Sequence, residues 1–362
     1  MTPYFLLLSL PAWLALTQRR NSTTGDTSDN FQWKTLALIF TLAIGLRDEV
    51  GGDWFTYVEG REYVTSLGLA EALTELRNSD PAFALLTWLS PGIGDDYFVN
   101  LVCGALFTLG LVLFSRRQPE PWLALTVAVP YLVTVVAMGY TRQGVAIGLS
   151  LCGLAALDQK KTMWFLFWVG LATTFHKSAV ILIPLAVFSG SQHRFSTVLG
   201  VMIIGPLVFT LFLAESVSRL VGGYVLDGME SSGAFIRVMM NALPAFLFLV
   251  FRRRFDISET SRSFWTWMSI GALLFIPALA LSPSSTAVDR VALYWIPIQI
   301  FFWSRLPKSM NKGPRSELLL RHAVVVYSFS VLIVWLNFAD HAFAWIPYKF
   351  YPWEVIKAGL NG

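Results

Sequence analysis

The chain has 362 residues, of which 14% are charged and 55% hydrophobic, and its mean hydropathy is +0.58. A soluble domain carries roughly 25% charged residues, so these charges are too few to build a water-exposed surface, and a soluble enzyme of one or two domains is excluded. The composition is that of a polytopic membrane protein, and 14 Trp and 28 Phe agree, because aromatic rings collect at membrane interfaces. A net charge of +4 and a pI near 9.1 reflect basic residues in cytoplasmic loops and give no warrant for nucleic-acid binding. The two cysteines, Cys103 and Cys152, lie inside apolar runs without metal-ligand partners and receive no function.

A membrane span needs about 20 apolar residues, or about 17 with polar ends. By that measure the chain offers about twelve candidates, at 2–17, 32–46, 97–115, 121–139, 142–157, 162–175, 178–190, 196–214, 237–251, 263–282, 290–304 and 322–338. The first has no Lys or Arg before it and Arg19 and Arg20 after it, the reverse of a signal peptide, so it reads as an uncleaved helix with its N-terminus outside. The three runs between Arg142 and Gly190 are short, which predicts tilted or broken helices, or polar ends that face protein. The expected fold class is all-α, a single integral membrane domain.

Alternate gaps between these runs should hold the basic residues. One set carries Arg19, Arg20, Lys34, Arg116, Arg117, Lys160, Lys161, Arg194, Arg252 to Arg254 and Arg262, and then Arg305, Lys308, Lys312, Arg315 and Arg321. The alternation never slips, so both termini are expected outside, with Arg252–Arg254 as the firmest cytoplasmic marker. The stretch 305–321 reads as a solvated basic cytoplasmic loop. Among the outer gaps, 47–96 is the longest. Tyr63, Val64, Leu67, Ala70, Leu73 and Leu76 fall there at helical spacing against Glu62, Glu71, Glu75 and Arg77, which predicts an interfacial helix. Residues 81–90 (PAFALLTWLS) are too short to span and read as a docked or re-entrant half-helix.

Ten basic residues remain on the outer side, against the usual bias. Arg47, Arg142, Lys177, Arg219, Arg237 and Arg290 stand at or near helix ends, close to apolar sequence. A charge at a helix centre costs about 2.5–3.5 kcal/mol on insertion scales, so such residues snorkel, pair with a carboxylate as Asp289 offers beside Arg290, or serve a polyanion. Guanidinium groups suit phosphate because their planar fork donates two hydrogen bonds at once. Three strings carry the chemistry. Arg47-Asp48-Glu49-Val50-Gly51-Gly52-Asp53-Trp54-Phe55-Thr56-Tyr57 follows a helix, offers three carboxylates, and has a glycine pair that can bring backbone to a ligand or cap the helix. Asp48 reads as a neutraliser of Arg47, which leaves Asp53 freer. Tyr140-Thr141-Arg142-Gln143 opens a helix, where free N–H groups and the dipole favour an anion. His176-Lys177-Ser178 lies in an outer turn, and its imidazole is a candidate proton acceptor as well as a structural one.

These strings resemble the motifs of the EpsG-like branch of Wzy-type polysaccharide polymerases. RDEVGGDWFTY resembles an R-x-x-x-G-x-D-x-x-x-Y pattern, TRQGVAIGL an R-Q-x-x-A segment, FHKSAVILIP an F-H-x-S-A segment, and DRVALYW a late R-x-x-x-Y, in order over roughly residues 30 to 305. Gly52 departs from the Thr often found before the Asp. The resemblance implies an integral-membrane glycosyltransferase, with a bundle similar to GT-C-like enzymes, acting at the periplasmic face of a bacterial inner membrane in O-antigen or exopolysaccharide synthesis. It would move a growing glycan from undecaprenyl diphosphate to the non-reducing end of an incoming undecaprenyl-diphosphate-linked oligosaccharide. A chain-length regulator and a flippase would be its partners, and no cofactor or metal is implied.

On this reading Arg47, Arg142, Arg237 and Arg290 bind diphosphate and Asp53 or His176 is the base. Tyr57, Gln143, Lys177 and Tyr294 position substrate. The outer aromatics Trp54, Tyr57, Tyr97, Tyr140, Trp345, Tyr348 and Tyr351 are mostly an interfacial belt. A flippase for lipid-linked glycans and a ligase that uses the same donor are the alternatives.

Overall fold

The computed structural model describes residues 1–17, 27–68, 71, 80–185, 233–310 and 313–361, with side chains from residue 30 onward in the second of these stretches. Arg19, Arg20, Arg77, His193, Arg194, Arg219 and Lys312, the expected span 196–214 and the last part, 186–190, of the expected span 178–190 lie outside the described residues. Among the described residues the chain is helical, apart from one isolated antiparallel bridge between Arg47 and Phe350. In chain order the helices are α1 (Thr2–Thr17), α2 (Thr27–Gly45), α3 (Trp54–Ser66), α4 (Pro81–Trp88), α5 (Asp95–Ser115) and α6 (Pro121–Ala128), which continues as a π-helix over Val129–Ala137. They are followed by α7 (Thr141–Leu157), α8 (Thr162–Phe175), a 3-10 turn (Lys177–Ile181), α9 (Ala234–Phe251), α10 (Glu259–Leu281), α11 (Ser285–Ala292), α12 (Pro297–Ser309), α13 (Pro314–Phe338) and α14 (Tyr351–Asn361).

Among the described residues, four segments are long and apolar enough to cross a membrane: Asp95–Ser115, Ala234–Arg254, Glu259–Leu281 and Pro314–Phe338. Thr2–Thr17, Pro121–Ala137, Thr141–Leu157 and Thr162–Phe175 are shorter apolar helices. The short runs expected after Arg142 are explained by α7, which is buried almost throughout and so needs no lipid-matched length. Its glycines let neighbours come close. A Cβ on Gly148 would meet the Phe107 Cα at 2.4 Å, and one on Gly110 the Gly148 carbonyl oxygen at 1.7 Å, so α5 and α7 cross backbone to backbone. α8 packs on the other side of α7, and α9 gathers α10, α11 and α12. The crossing therefore fixes the N-terminal end of α7, where Arg142 and Gln143 sit.

Two expectations shift. The outer helix begins at Trp54, directly after Asp53 and earlier than the amphipathic spacing predicts, and runs to Ser66; Ala70, Leu73, Glu75, Leu76 and Arg77 of the expected stretch lie outside the described residues. The basic stretch 305–321 is mostly the end of α12 and the start of α13, where Lys308 and Arg321 both pair with Glu120, and Arg321 also with Glu317. Charges read as a solvated loop thus tie helix ends together. The half-helix 81–90 is α4, with Asp80 at its N-cap position and Pro81 first in the helix.

Candidate functional site

The N-terminal ends of α3, α4, α7 and α9, the last turn of α8 and the end of α11 meet in a cluster of alternating charges. Arg142 Nη1 lies 3.2 Å from Asp80 Oδ2, and its guanidinium stands over the rings of Tyr57 and Phe83 at 5.6 and 5.8 Å. Arg290 Nη1 is 3.7 Å from Asp53 Oδ2, and its guanidinium covers Tyr140 at 4.2 Å. Arg237 grips Asp289 with two hydrogen bonds, 2.8 Å from Nε and 2.7 Å from Nη2. Gln143 donates to the Arg290 carbonyl and links α7 to α11. Tyr294 and His176 share a hydrogen bond of 2.9 Å at Nδ1. The backbone N–H of Lys177 donates to Asp80 Oδ1 at 3.1 Å.

The three carboxylates differ in how fully they are engaged. Both oxygens of Asp80 and of Asp289 have partners, and these side chains are 12% and 10% exposed. Asp53 makes the looser pair and is 30% exposed. Among the arginines, Arg142 is 41% and Arg290 33% exposed against 18% for Arg237. Burial raises the Asp53 carboxyl above the ordinary carboxylate range, and Arg290 and Arg142 oppose that rise. Asp80 is raised by burial in the same way, against Arg142 and the Lys177 amide. His176 is pushed down to about 3, first by burial and then by Arg142 and Arg290, so the imidazole is neutral.

Arg47 is elsewhere. It is 1% exposed, and it donates to the carbonyls of Ile44 and Val50, to Asn100 Oδ1 and to Thr141 Oγ1, with Trp54 beneath it at 5.5 Å. A guanidinium at the end of α2 that satisfies helix carbonyls is a structural cap, and it ties α2 to α5 and α7. Asp48, expected to neutralise it, accepts from the Tyr97 hydroxyl instead. Asp289 serves Arg237, because successive helical residues diverge and Arg290 beside it points to another face.

The glycine pair packs against protein. Gly51 has φ +114°, and a Cβ there would meet the Met138 carbonyl oxygen at 2.2 Å, while Gly52 faces the ring of Trp345. Trp345 belongs to no belt: it is buried, donates from its indole to the Thr134 carbonyl, and fills the space against Gly139. Tyr294, expected to position substrate, is also buried and holds His176.

Sequence reasoning missed Asp80, though an aspartate just before the proline that opens an outer half-helix is a legible N-cap signal. It also missed Tyr140 as the platform for Arg290, which adjacency to Arg142 conceals. Two buried polar atoms in the cluster, Arg142 Nε and Gln143 Oε1, have no hydrogen-bond partner among the described residues. A family model described as EpsG family matches residues 30–350. No curated protein and no solved structure matches the chain.

Proposed function

The chain belongs to the EpsG family, membrane proteins associated with polysaccharide synthesis, and on that premise we propose that it polymerises lipid-linked oligosaccharide repeat units at the outer face of a bacterial inner membrane. The observation that carries the reading is the pair Arg142 and Arg290, each laid on an aromatic ring, each keeping exposed surface, and both acting on the least engaged carboxylate, Asp53. In this reading the acceptor hydroxyl gives its proton to Asp53 as its oxygen bonds the donor's anomeric carbon. The bond from that carbon to the lipid diphosphate breaks, and Arg142 and Arg290 stabilise the charge that arrives on the leaving oxygen.

His176 suits positioning better than proton abstraction, because an imidazole that protonates near pH 3 is a weak base. Gln143 and Tyr57 orient the acceptor. Lys177 acts through its amide on Asp80, Arg237 holds α11 through Asp289, and Arg47 shapes the wall behind Asp53. The twelve-span bundle similar to GT-C-like glycosyltransferases is part of the same proposal.

The test is reconstitution with an undecaprenyl-diphosphate-linked repeat unit. Longer chains are expected, with yield reduced about 10²–10³-fold in Arg142→Ala and in Arg290→Ala, the range for loss of a group that stabilises developing negative charge. Movement of the lipid across vesicles without chain extension would overturn the proposal in favour of a flippase.

A further inference from the structure

Asp80 occupies the N-cap position of α4, where an aspartate ordinarily accepts from the first amides of its own helix, yet its side chain makes no such bond. Both oxygens reach across the fold instead. Oδ2 accepts from Arg142 Nη1, at the start of α7, at 3.2 Å, and Oδ1 accepts from the Lys177 amide, just after α8, at 3.1 Å. The same half-helix brings Phe83, whose ring lies 5.6 Å from that of Tyr57, and the Arg142 guanidinium stands over both. One short helix therefore supplies a counter-ion and part of a platform to one arginine.

The manner of the pairing separates Asp80 from Asp289. Asp289 accepts from Arg237 at Nε and Nη2 together, and so closes one edge of the guanidinium fork. Asp80 hydrogen-bonds Arg142 at Nη1 alone, because its second oxygen is committed to the Lys177 amide. Arg142 is held at one corner and by its flat face, and its side chain keeps more exposed surface than that of Arg237. A cation held in this way meets an anion with part of its charge already compensated.

We propose that Asp80 is a positioning residue that sets how tightly the site holds a lipid diphosphate: it fixes Arg142 in place and offsets part of its charge, so that the diphosphate released at each addition can leave. The proposal rests on the polymerase reading above, and it gives Asp80 no contact with substrate. Without the offset, Arg142 would hold the diphosphate of substrate and product more tightly alike, which lowers KM without raising kcat.

Binding of undecaprenyl diphosphate to the full-length protein in nanodiscs is measured for wild type, Asp80→Asn, Arg142→Ala and the double variant, and chain extension is followed in the same preparations. Asparagine keeps an acceptor for the Lys177 amide and is a favoured N-cap residue, so α4 is retained. Asp80→Ser, a second neutral N-cap residue, is carried beside it, and thermal unfolding reports the fold of each. Expected in Asp80→Asn is binding about twofold to fivefold tighter, the range for a partly exposed ion pair, with a lower KM and a kcat no higher than wild type. In the Arg142→Ala background the same change is expected to have no effect, whereas a purely structural role for Asp80 would act in both backgrounds. Binding that is unchanged or weaker in the neutral variants, or an effect that is equal with and without Arg142, overturns the proposal and leaves the polymerase reading standing. Wild-type protein that fails to extend chains overturns the polymerase reading, and this proposal with it.

Discussion

Among the ionisable side chains of the cluster, Asp53 combines a raised carboxyl with open access, and this makes its protonation visible in the rate. A base acts when ionised, so activity is full above the Asp53 pKa and falls as pH drops through it. Burial raises that pKa while Arg290 and Arg142 oppose it. The acidic limb of kcat/KM is therefore expected above the ordinary carboxylate range, and Arg290→Gln, which removes an opposing charge, should move the limb of the residual activity further up. His176→Asn should leave its position unchanged, since the imidazole titrates near pH 3. Rates of chain extension from pH 3 to 9 check both, and a limb that disappears with His176 would reassign the base. Asp53, Arg142, His176 and Arg290 are legible in the sequence because polar residues at the ends of apolar runs stand out against the cost of the bilayer. Which carboxylate serves which arginine is not legible, because the partners lie 62 residues apart for Arg142 and Asp80 and 52 for Arg237 and Asp289.

The element that places Asp53 is a loop held from both ends of the chain. Asp48 N–H donates to the Lys349 carbonyl, Gly51 N–H to the Ala344 carbonyl, and Tyr351 N–H to the Leu46 carbonyl, while the Tyr4 hydroxyl donates to the Trp345 carbonyl. Periodicity carries no sign of such pairings, so the glycine pair reads as a ligand approach or a helix cap, whereas in the fold both glycines lie against protein. The two glycines also differ. Gly51→Ala would force a Cβ against the Met138 carbonyl at a positive φ, with backbone strain of about 1–3 kcal/mol before the clash is counted. Gly52→Ala adds a Cβ 3.7 Å from the Trp345 ring, an ordinary contact. Thermal unfolding in detergent and polymer yield are expected to fall for Gly51→Ala and to stay near wild type for Gly52→Ala. Loss of yield with normal stability in Gly52→Ala would restore the ligand-approach role.

At the scale of the whole molecule, charge scarcity identifies the solvent and charge placement identifies the ends. Helix directions in the fold agree with the alternation of basic gaps: Lys160, Lys161, the Arg252–Arg254 turn and Arg305 gather at the end of α7 that carries Asp158, and Arg142, Arg237 and Arg290 at the other. The span lengths are less legible, because a buried helix such as α7 escapes the bilayer ruler and a broken one such as α11–α12 divides it. Sidedness follows if the first end is cytoplasmic, as the positive-inside bias requires. Single cysteines can report it without removal of Cys103 and Cys152, which are buried. In intact cells with a permeabilised outer envelope, a membrane-impermeant maleimide is expected to label Asp340→Cys and Lys357→Cys, and to label Lys161→Cys and Arg253→Cys only after the inner membrane is opened. All four positions are exposed, so access to the reagent depends on the membrane and not on burial. Labelling of Arg253→Cys before opening would invert the molecule, put the Asp53 cluster on the cytoplasmic face, and remove the basis for a polymerase that works on the outer surface.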